Sequence, residues 1–209
     1  MALGMALGGG AKGVHVQQVN ESAGQTRKGL TEFGVYAGVK SPMLQSASRY
    51  SGDPIFSGYV RNGVTDSLTL GANFQAEHGS QMGGLEAVMG TPVGAFSASV
   101  SASKIVNLGS GWAATASYQA LFRRARSLND SLNLMVETRS REFAPITVAQ
   151  PNNPFQYELS GIYSHRLNDR AYIAVDGRYS KARAGFIDQH YYRLSGGLRV
   201  TDNISLTAE

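Results

Sequence analysis

Between Leu68 and Glu77 the sequence LTLGANFQAE alternates between two sets of residues. Leu68, Leu70, Ala72, Phe74 and Ala76 make one set, and Thr69, Gly71, Asn73, Gln75 and Glu77 the other. A period of two is the period of a β-strand, so one face is apolar and one is polar. Two environments satisfy such a strand. A soluble sheet turns its apolar face to a protein core and its polar face to water. An outer-membrane barrel turns the apolar face to lipid and the polar face to a wet lumen.

The alternation recurs along the chain. Phe96, Ala98, Val100 and Ala102 alternate with Ser97, Ser99, Ser101 and Ser103. Ile173, Val175, Gly177 and Tyr179 alternate with Ala174, Asp176, Arg178 and Ser180. Tyr192, Leu194, Leu198 and Val200 alternate with Arg193, Ser195 and Arg199. The pattern predicts strands over 30–41, 54–62, 67–77, 83–90, 94–104, 112–123, 131–140, 155–166, 170–181, 190–200 and 203–209. Many are near ten residues, longer than the ~5–6 usual in soluble sheets and close to the ~9–11 of a membrane-crossing strand. Residues 156–166 break the rule, because Ile162 falls opposite Leu159 and Tyr163, which suggests a bulge or a shifted register.

The strand from Trp112 reads Trp112, Ala114, Ala116, Tyr118, Ala120 and Phe122 on its apolar side, with aromatics at both ends. Ten rises of about 3.3 Å, tilted by roughly 40°, cover about 25 Å along a membrane normal, the height of a barrel's apolar band. The aromatics would then sit at the two interfaces. The lipid-facing set expected on this reading is Leu68, Leu70, Phe74, Trp112, Tyr118 and Phe122. The lumen-facing set is Thr69, Asn73, Gln75, Glu77, Asp176, Arg178, Arg193 and Arg199.

A short turn motif recurs as VTDSL at 64–68, LNDSL at 128–132, LNDRA at 167–171 and VTDNI at 200–204, with GTPVGAF at 90–96 filling the remaining place. Asp and Asn side chains cap tight turns by accepting from nearby backbone N–H groups. Longer connections are expected between them, at 42–53, 77–82, 104–111, 140–154 and 181–189. Short turns at one rim and longer loops at the other are the habit of a transmembrane barrel. The fold class expected is therefore all-β: an antiparallel up-and-down meander of roughly eleven strands, part of an incomplete outer-membrane barrel.

Composition narrows the function. Only 16% of the 209 residues are charged, against about 25% in soluble domains, and mean hydropathy is −0.19. Few charges without overall greasiness suit a sheet with one lipid face and one wet face, and a glycine-rich soluble β protein as well. The net charge of +4 comes without a basic stripe interleaved with aromatics, so nothing points to nucleic acid. With no cysteine there is no disulfide framework, thiolate metal site or Cys nucleophile. No apolar run is long enough for a transmembrane helix, and MALGMALGGGAKG at 1–13 lacks the basic region of a secretory signal.

Chemistry-bearing motifs are sparse. LGGGAKG at 7–13 resembles the glycine-rich oxyanion loop of patatin-like phospholipases, in which backbone N–H groups approach a developing oxyanion. That chemistry needs a serine nucleophile on a G-x-S-x-G elbow, and no such elbow occurs; the Asp176–Gly177 pair that could supply the acid falls inside an alternating strand. His15, His78, His165 and His190 have no metal-ligand spacing. No catalytic, metal or cofactor-binding residues are assigned, and the chain is expected not to be an enzyme.

Three stretches resemble a known family. They are GVHVQQVNESAGQTRKGLTEFGVYAGVK, YSGDPIFSGYVRNGVTDSLTLGANFQAE and GGLEAVMGTPVGAFSASVSAS. The chain is similar to outer-membrane ushers of the chaperone–usher pilus pathway. Arg27, Lys28, Gly29, Leu30 and Phe33 stand in a weakened form of the family's first strand motif. Gly52, Asp53 and Pro54 make its Gly-Asp-Pro step. Tyr59, Gly63, Val64, Thr65, Asp66, Leu68, Thr69, Leu70 and Gly71 follow its turn-and-strand run, with Val64 for Leu and one extra residue before Gly63. Gly83, Gly84, Leu85, Glu86, Ala87 and Val88 stand where the family has Gly-Gly-Leu-Gly-Ala-Val. The likeness is most specific over 29–105; beyond that it rests on strand rhythm.

The resemblance implies a pore that exports chaperone-delivered pilin subunits and supports fimbrial assembly, located in the bacterial outer membrane. Its partners would be periplasmic chaperone–pilin complexes and outer-membrane lipid, with no cofactor. Residues 1–28 are expected to be a poorly defined segment, including a plug-to-barrel connection, and 29–209 a barrel segment. The family's barrel has more strands than this chain supplies, so the expected product is a fragment. A porin- or adhesin-like barrel is the alternative, and a patatin-like hydrolase a more distant one.

Overall fold

The computed structural model describes residues 25–39, 43–44, 47–48, 53–125, 128–146, 153–201 and 204–208. Within them the alternating segments form β1 Thr31–Val39, β2 Met43–Leu44, β3 Ala47–Ser48, β4 Pro54–Gly63, β5 Leu68–Glu77, β6 Ser80–Thr91, β7 Gly94–Ile105, β8 Gly109–Ala125, β9 Leu128–Arg139, β10 Phe155–Arg166, β11 Ala171–Ala182, β12 Gln189–Arg199 and β13 Ser205–Ala208. Strands β2 and β3 pair only with each other. The other eleven form one antiparallel sheet in which each strand neighbours the next in sequence. This is the expected meander, and its bounds follow the alternation to within a few residues.

Cross-strand partners share a face, so the register carries each apolar set onto the next. One row runs Phe33, Val60, Ala72, Leu85, Val100, Ala114 from β1 to β8. Another runs Leu68, Met89, Phe96, Tyr118, Leu134, Gly161, Gly177, Tyr192 from β5 to β12. Leu68 opens β5 at the rim of the 64–67 turn, whereas Tyr192 lies near the opposite rim, in the first turnward residues of β12. The row therefore moves away from the turn rim as it crosses the sheet, a stagger in the sense that tilted barrel strands require.

The two rims differ from expectation in part. Connections 64–67, 92–93, 126–127, 167–170 and 200–204 lie at one rim, here the turn rim. At the other, the loop rim, 40–53, 140–154 and 183–188 are the longer connections. The two remaining expected loops are tight: only 78–79 joins β5 to β6, and only 106–108 joins β7 to β8. Gly79 at φ 71° and Asn107 at φ 65° supply the left-handed backbone these turns need, so the strands continue closer to the bend than their composition suggests.

The motif turns share one hydrogen-bond pattern. Val64 N–H and Thr65 N–H both donate to Leu68 O, at 2.9 and 3.2 Å; Leu167 and Asn168 donate to Ala171 O, and Val200 and Thr201 to Ile204 O. The capping oxygen comes from the residue before the Asp: Thr65 Oγ1 accepts from Ser67 N and Leu68 N, and Asn168 Oδ1 from Arg170 N. LNDSL at 128–132 is a correction. Its residues already belong to β9, and Asp130 accepts across the sheet from Tyr163 Oη at 3.1 Å and Arg166 N at 3.2 Å, with His165 Nδ1 at 3.1 Å. Ile162 needs no bulge. It pairs with Asn133 and Asp176 on the polar face, and the irregularity in β10 lies instead between Phe155 and Tyr157.

Candidate functional site: a polar face crossed by ion pairs and by the chain itself

All eight residues expected to face a lumen share one face. Thr69, Asn73, Gln75 and Glu77 lie on it from β5, Asp176 and Arg178 from β11, and Arg193 and Arg199 from β12. Leu68, Leu70, Phe74, Trp112, Tyr118 and Phe122 all lie on the opposite face. That opposite face is apolar and exposed across the sheet, with Phe33 and Tyr192 at 76% and Leu194 at 64% of full exposure. Aromatics mark both of its margins. Phe96 and Tyr118 stack at 4.4 Å toward the turn rim, where Tyr118 Oη donates to Val93 O at 2.8 Å; Tyr157 and Tyr179 lie 6.1 Å apart toward the loop rim. Between them Ala87, Ala98 and Ala116 floor a shallow apolar groove of about 420 Å³.

The polar face carries ion pairs that the expected set only partly contained. Arg61 Nε donates to Glu86 Oε1 at 2.5 Å, reaching across β5. The residue beneath that bridge is Gly71, where a Cβ would fall 2.5 Å from Glu86 Oε1. Glu137 and Glu158 are direct cross-strand partners, an unfavourable like-charge pairing on its own. Arg139 Nη2 resolves it by contacting Glu137 Oε1 and Glu158 Oε1, each at 3.1 Å. Glu158 also accepts from Arg178 and, at 3.4 Å, from Ser180 Oγ. Arg193 Nε donates to Asp176 Oδ1 at 2.9 Å, and Arg199 Nη2 to Asp169 O at 3.2 Å. Arg61, Glu86, Glu137, Arg139 and Glu158 were not among the expected residues. Extending the β4, β6, β9 and β10 alternation would have put each on this face.

Two pieces of the described chain lie on the polar face. At the turn rim Thr26 N–H donates to Thr69 Oγ1 at 2.8 Å, and Thr69 is only 2% exposed. Gln25 Nε2 donates to Ser67 O at 3.4 Å, and Lys28 bridges to Gly63 in parallel. A Cβ on Gly63 would lie 2.2 Å from Arg27 O, so this crossing needs glycine. Thr69 is thus covered by residues 25–28 rather than open along the face. At the loop rim the start of the 140–154 connection folds back over β6 to β8. Ala144, fully buried, packs with Ile105 and Ile146, flanked by Met82 and Leu108.

Outside the strands, Asp188 closes the 183–188 connection. Its carboxylate accepts from Lys181 Nζ at 2.8 Å, Ala182 N at 2.8 Å and Tyr179 Oη at 2.9 Å. The Lys181 ammonium first, then those two donors, hold its pKa down at about 2 from an ordinary 3.8.

Among the described residues no group of His, Asp and Glu could hold a metal ion, and no helix is long and apolar enough to cross a membrane. Asp176 of the Asp-Gly pair is engaged by Arg193 within β11, and the LGGGAKG stretch lies outside the described residues. Comparison with family models, with curated proteins and with solved structures finds no match for this chain.

Proposed function

We propose that the chain is part of an outer-membrane pore of the usher type, through which chaperone-delivered pilin subunits are exported and assembled into fimbriae. The observation that carries the membrane part is the continuous apolar face on one eleven-stranded sheet. Soluble monomers rarely expose contiguous apolar patches beyond a few hundred Å², whereas a bilayer requires such a surface. Strands of ten to twelve residues, staggered row by row and edged with aromatics, suit the same setting. The usher likeness of residues 29–105 supplies the finer reading. On it, the charged and hydroxyl-rich face lines the passage and partners a polar polypeptide in transit. Subunit folding supplies the energy, no bond is made or broken, and no cofactor takes part.

The eleven strands of the described residues do not by themselves make a barrel that closes on itself. In an antiparallel meander of eleven, the first and last strands run the same way, so closing β13 on β1 would make a parallel seam. Single-chain bacterial barrels have an even number of antiparallel strands. Open edges do not persist in hydrocarbon, so on the membrane reading β1 and β13 are paired by strands beyond the described residues.

The test begins with the DNA on both sides of the reading frame. In-frame barrel strands and a plug sequence are expected. Stop codons and an export signal bounding a 209-residue frame would overturn the reading. The polypeptide should also fractionate with the outer membrane and co-purify with a periplasmic chaperone–subunit complex. Recovery in the soluble periplasm without either partner would count against it.

A further inference from the structure

We propose that residues 140–146 form an inward strap that narrows the polar passage at the loop rim and limits the size of what reaches the face beneath. The proposal rests on the pore reading above and adds a selectivity element to it. Loops normally lie at the surface over solvent. This one instead builds the buried apolar cluster of the described residues, Ile105, Ala144 and Ile146, on the polar side of the sheet.

The seat is specific. Ser103 Oγ accepts from Ala144 N at 3.3 Å, and Ser103 is itself buried. Gly111 lies directly under the backbone of the strap, where an added Cβ would come within 2.2 Å of Phe143 N and 2.4 Å of its Cα. Neither atom can swing aside as a side chain could. The strap leaves β9 through Ser140, whose N–H donates to Trp112 O at 2.8 Å and whose Oγ accepts from Trp112 N at 2.9 Å.

A latch closes its far side. Asn153 Nδ2 donates to the carbonyls of Phe143, Arg141 and Ser140 at 2.6, 3.1 and 3.3 Å. The Arg183 guanidinium reaches Asn153 O and Arg139 O from the next connection. Backbone carbonyls at a rim are ordinarily satisfied by water. Here two side chains, an amide and a guanidinium, take them instead and fix the strap inward.

The chain lacks cysteine, so single thiols report directly on access. In the full chain, Ser103→Cys reports the seat, Ser101→Cys the polar face one step along β7, and Ser195→Cys a distant point on the same face. A small maleimide and a 5 kDa polyethylene glycol maleimide serve as thiol probes of very different size. With the strap seated, Ser103→Cys should label at least about tenfold more slowly than Ser195→Cys with either reagent. Ser101→Cys should accept the small reagent and exclude the large one. Adding Gly111→Val, or Ala144→Glu should the first variant fail to fold, should open Ser101→Cys to the large reagent and leave Ser195→Cys unchanged. Rapid labelling of Ser103→Cys, or equal access of the large reagent to Ser101→Cys with and without the second substitution, would overturn the strap. These measurements need no conduction, so their failure is separate from a failure of membrane fractionation or chaperone co-purification, which would remove the pore.

Discussion

The two faces of this sheet are built by the same strands and are held together in opposite ways. On the apolar face, rows such as Ala72, Leu85, Val100 and Ala114 form through register alone, and nearly every large side chain remains exposed. On the polar face, contacts are particular: Arg61 with Glu86, Arg139 between two glutamates, Thr69 beneath residues 25–28, Ser103 beneath the strap. The difference teaches where sequence can drift. On the membrane reading, most of the apolar face asks only for apolar atoms, with Asp130, Tyr163 and His165 near the turn rim as an exception, whereas a face that receives folded-back chain and paired charges asks for named partners.

The hardest attempt to break that contrast is a charge on the apolar face. Val100→Arg, in the middle of β7, is predicted to cost about 2–4 kcal/mol of stability in vesicles, while Ser99→Arg next to it on the polar face should stay within about 0.5 kcal/mol. Equal costs in a denaturant titration of the vesicle-inserted protein would erase the distinction between the faces. Second in size is Glu158→Gln, which removes the negative charge and one of the two acceptor oxygens that Arg139, Arg178 and Ser180 share. A loss of about 1–2 kcal/mol is expected, at the lower end for a charge-assisted site because Arg139 keeps Glu137 and Arg178 is 59% exposed. A change below about 0.5 kcal/mol would mean that the polar face is as tolerant as the apolar one.

Thr65→Val is smaller again. It deletes the oxygen that accepts from Ser67 N and Leu68 N, for an expected loss of about 1 kcal/mol, read from urea midpoints. Asp66→Ala should do less if the capping oxygen is Thr65's, and the reverse order would reassign the cap. The smallest effect is local and depends on pH. Because the Asp188 carboxyl is held at about 2 from 3.8, its contribution is complete above about 3.8 and fades as pH falls through about 2. Protection of the Ala182 amide, measured relative to its intrinsic exchange rate, should therefore fall across that window in the native chain and lose this dependence in Asp188→Asn. An unchanged profile in the variant would remove Asp188 as its cause.

Much of this fold is legible without coordinates because alternation is a local signal repeated eleven times. β10 was expected over 155–166 and spans those residues, and the suspicion attached to Ile162 came from assuming that every isoleucine belongs on the apolar face. Where the sequence misled, the deciding interaction was distant or conformational. The 78–79 and 106–108 turns depend on left-handed residues that composition does not reveal, and Asp130 was read as a turn residue because its partners lie 33 and 36 positions away. The eight residues expected to face a lumen share one face of the sheet, whereas Glu158, the most connected residue on that face, is not among them: an acidic residue in a strand whose alternation looks broken gives no hint that two arginines converge on it. The strap and the 25–28 crossing carry no periodicity at all. Their traces are Gly111 and Gly63, single glycines whose meaning depends on what lies above them.

The odd number of strands fixes the sidedness of anything attached to the sheet. The chain arrives at β1 from the turn rim, passes back and forth, and leaves β13 heading for the loop rim. On the outer-membrane reading proposed above, a reporter placed before Thr31 would be open to proteases from within the periplasm. One joined where this last strand reaches the loop rim, beyond Ala208 and its partner Gly196 partway along β12, would be open from outside the cell.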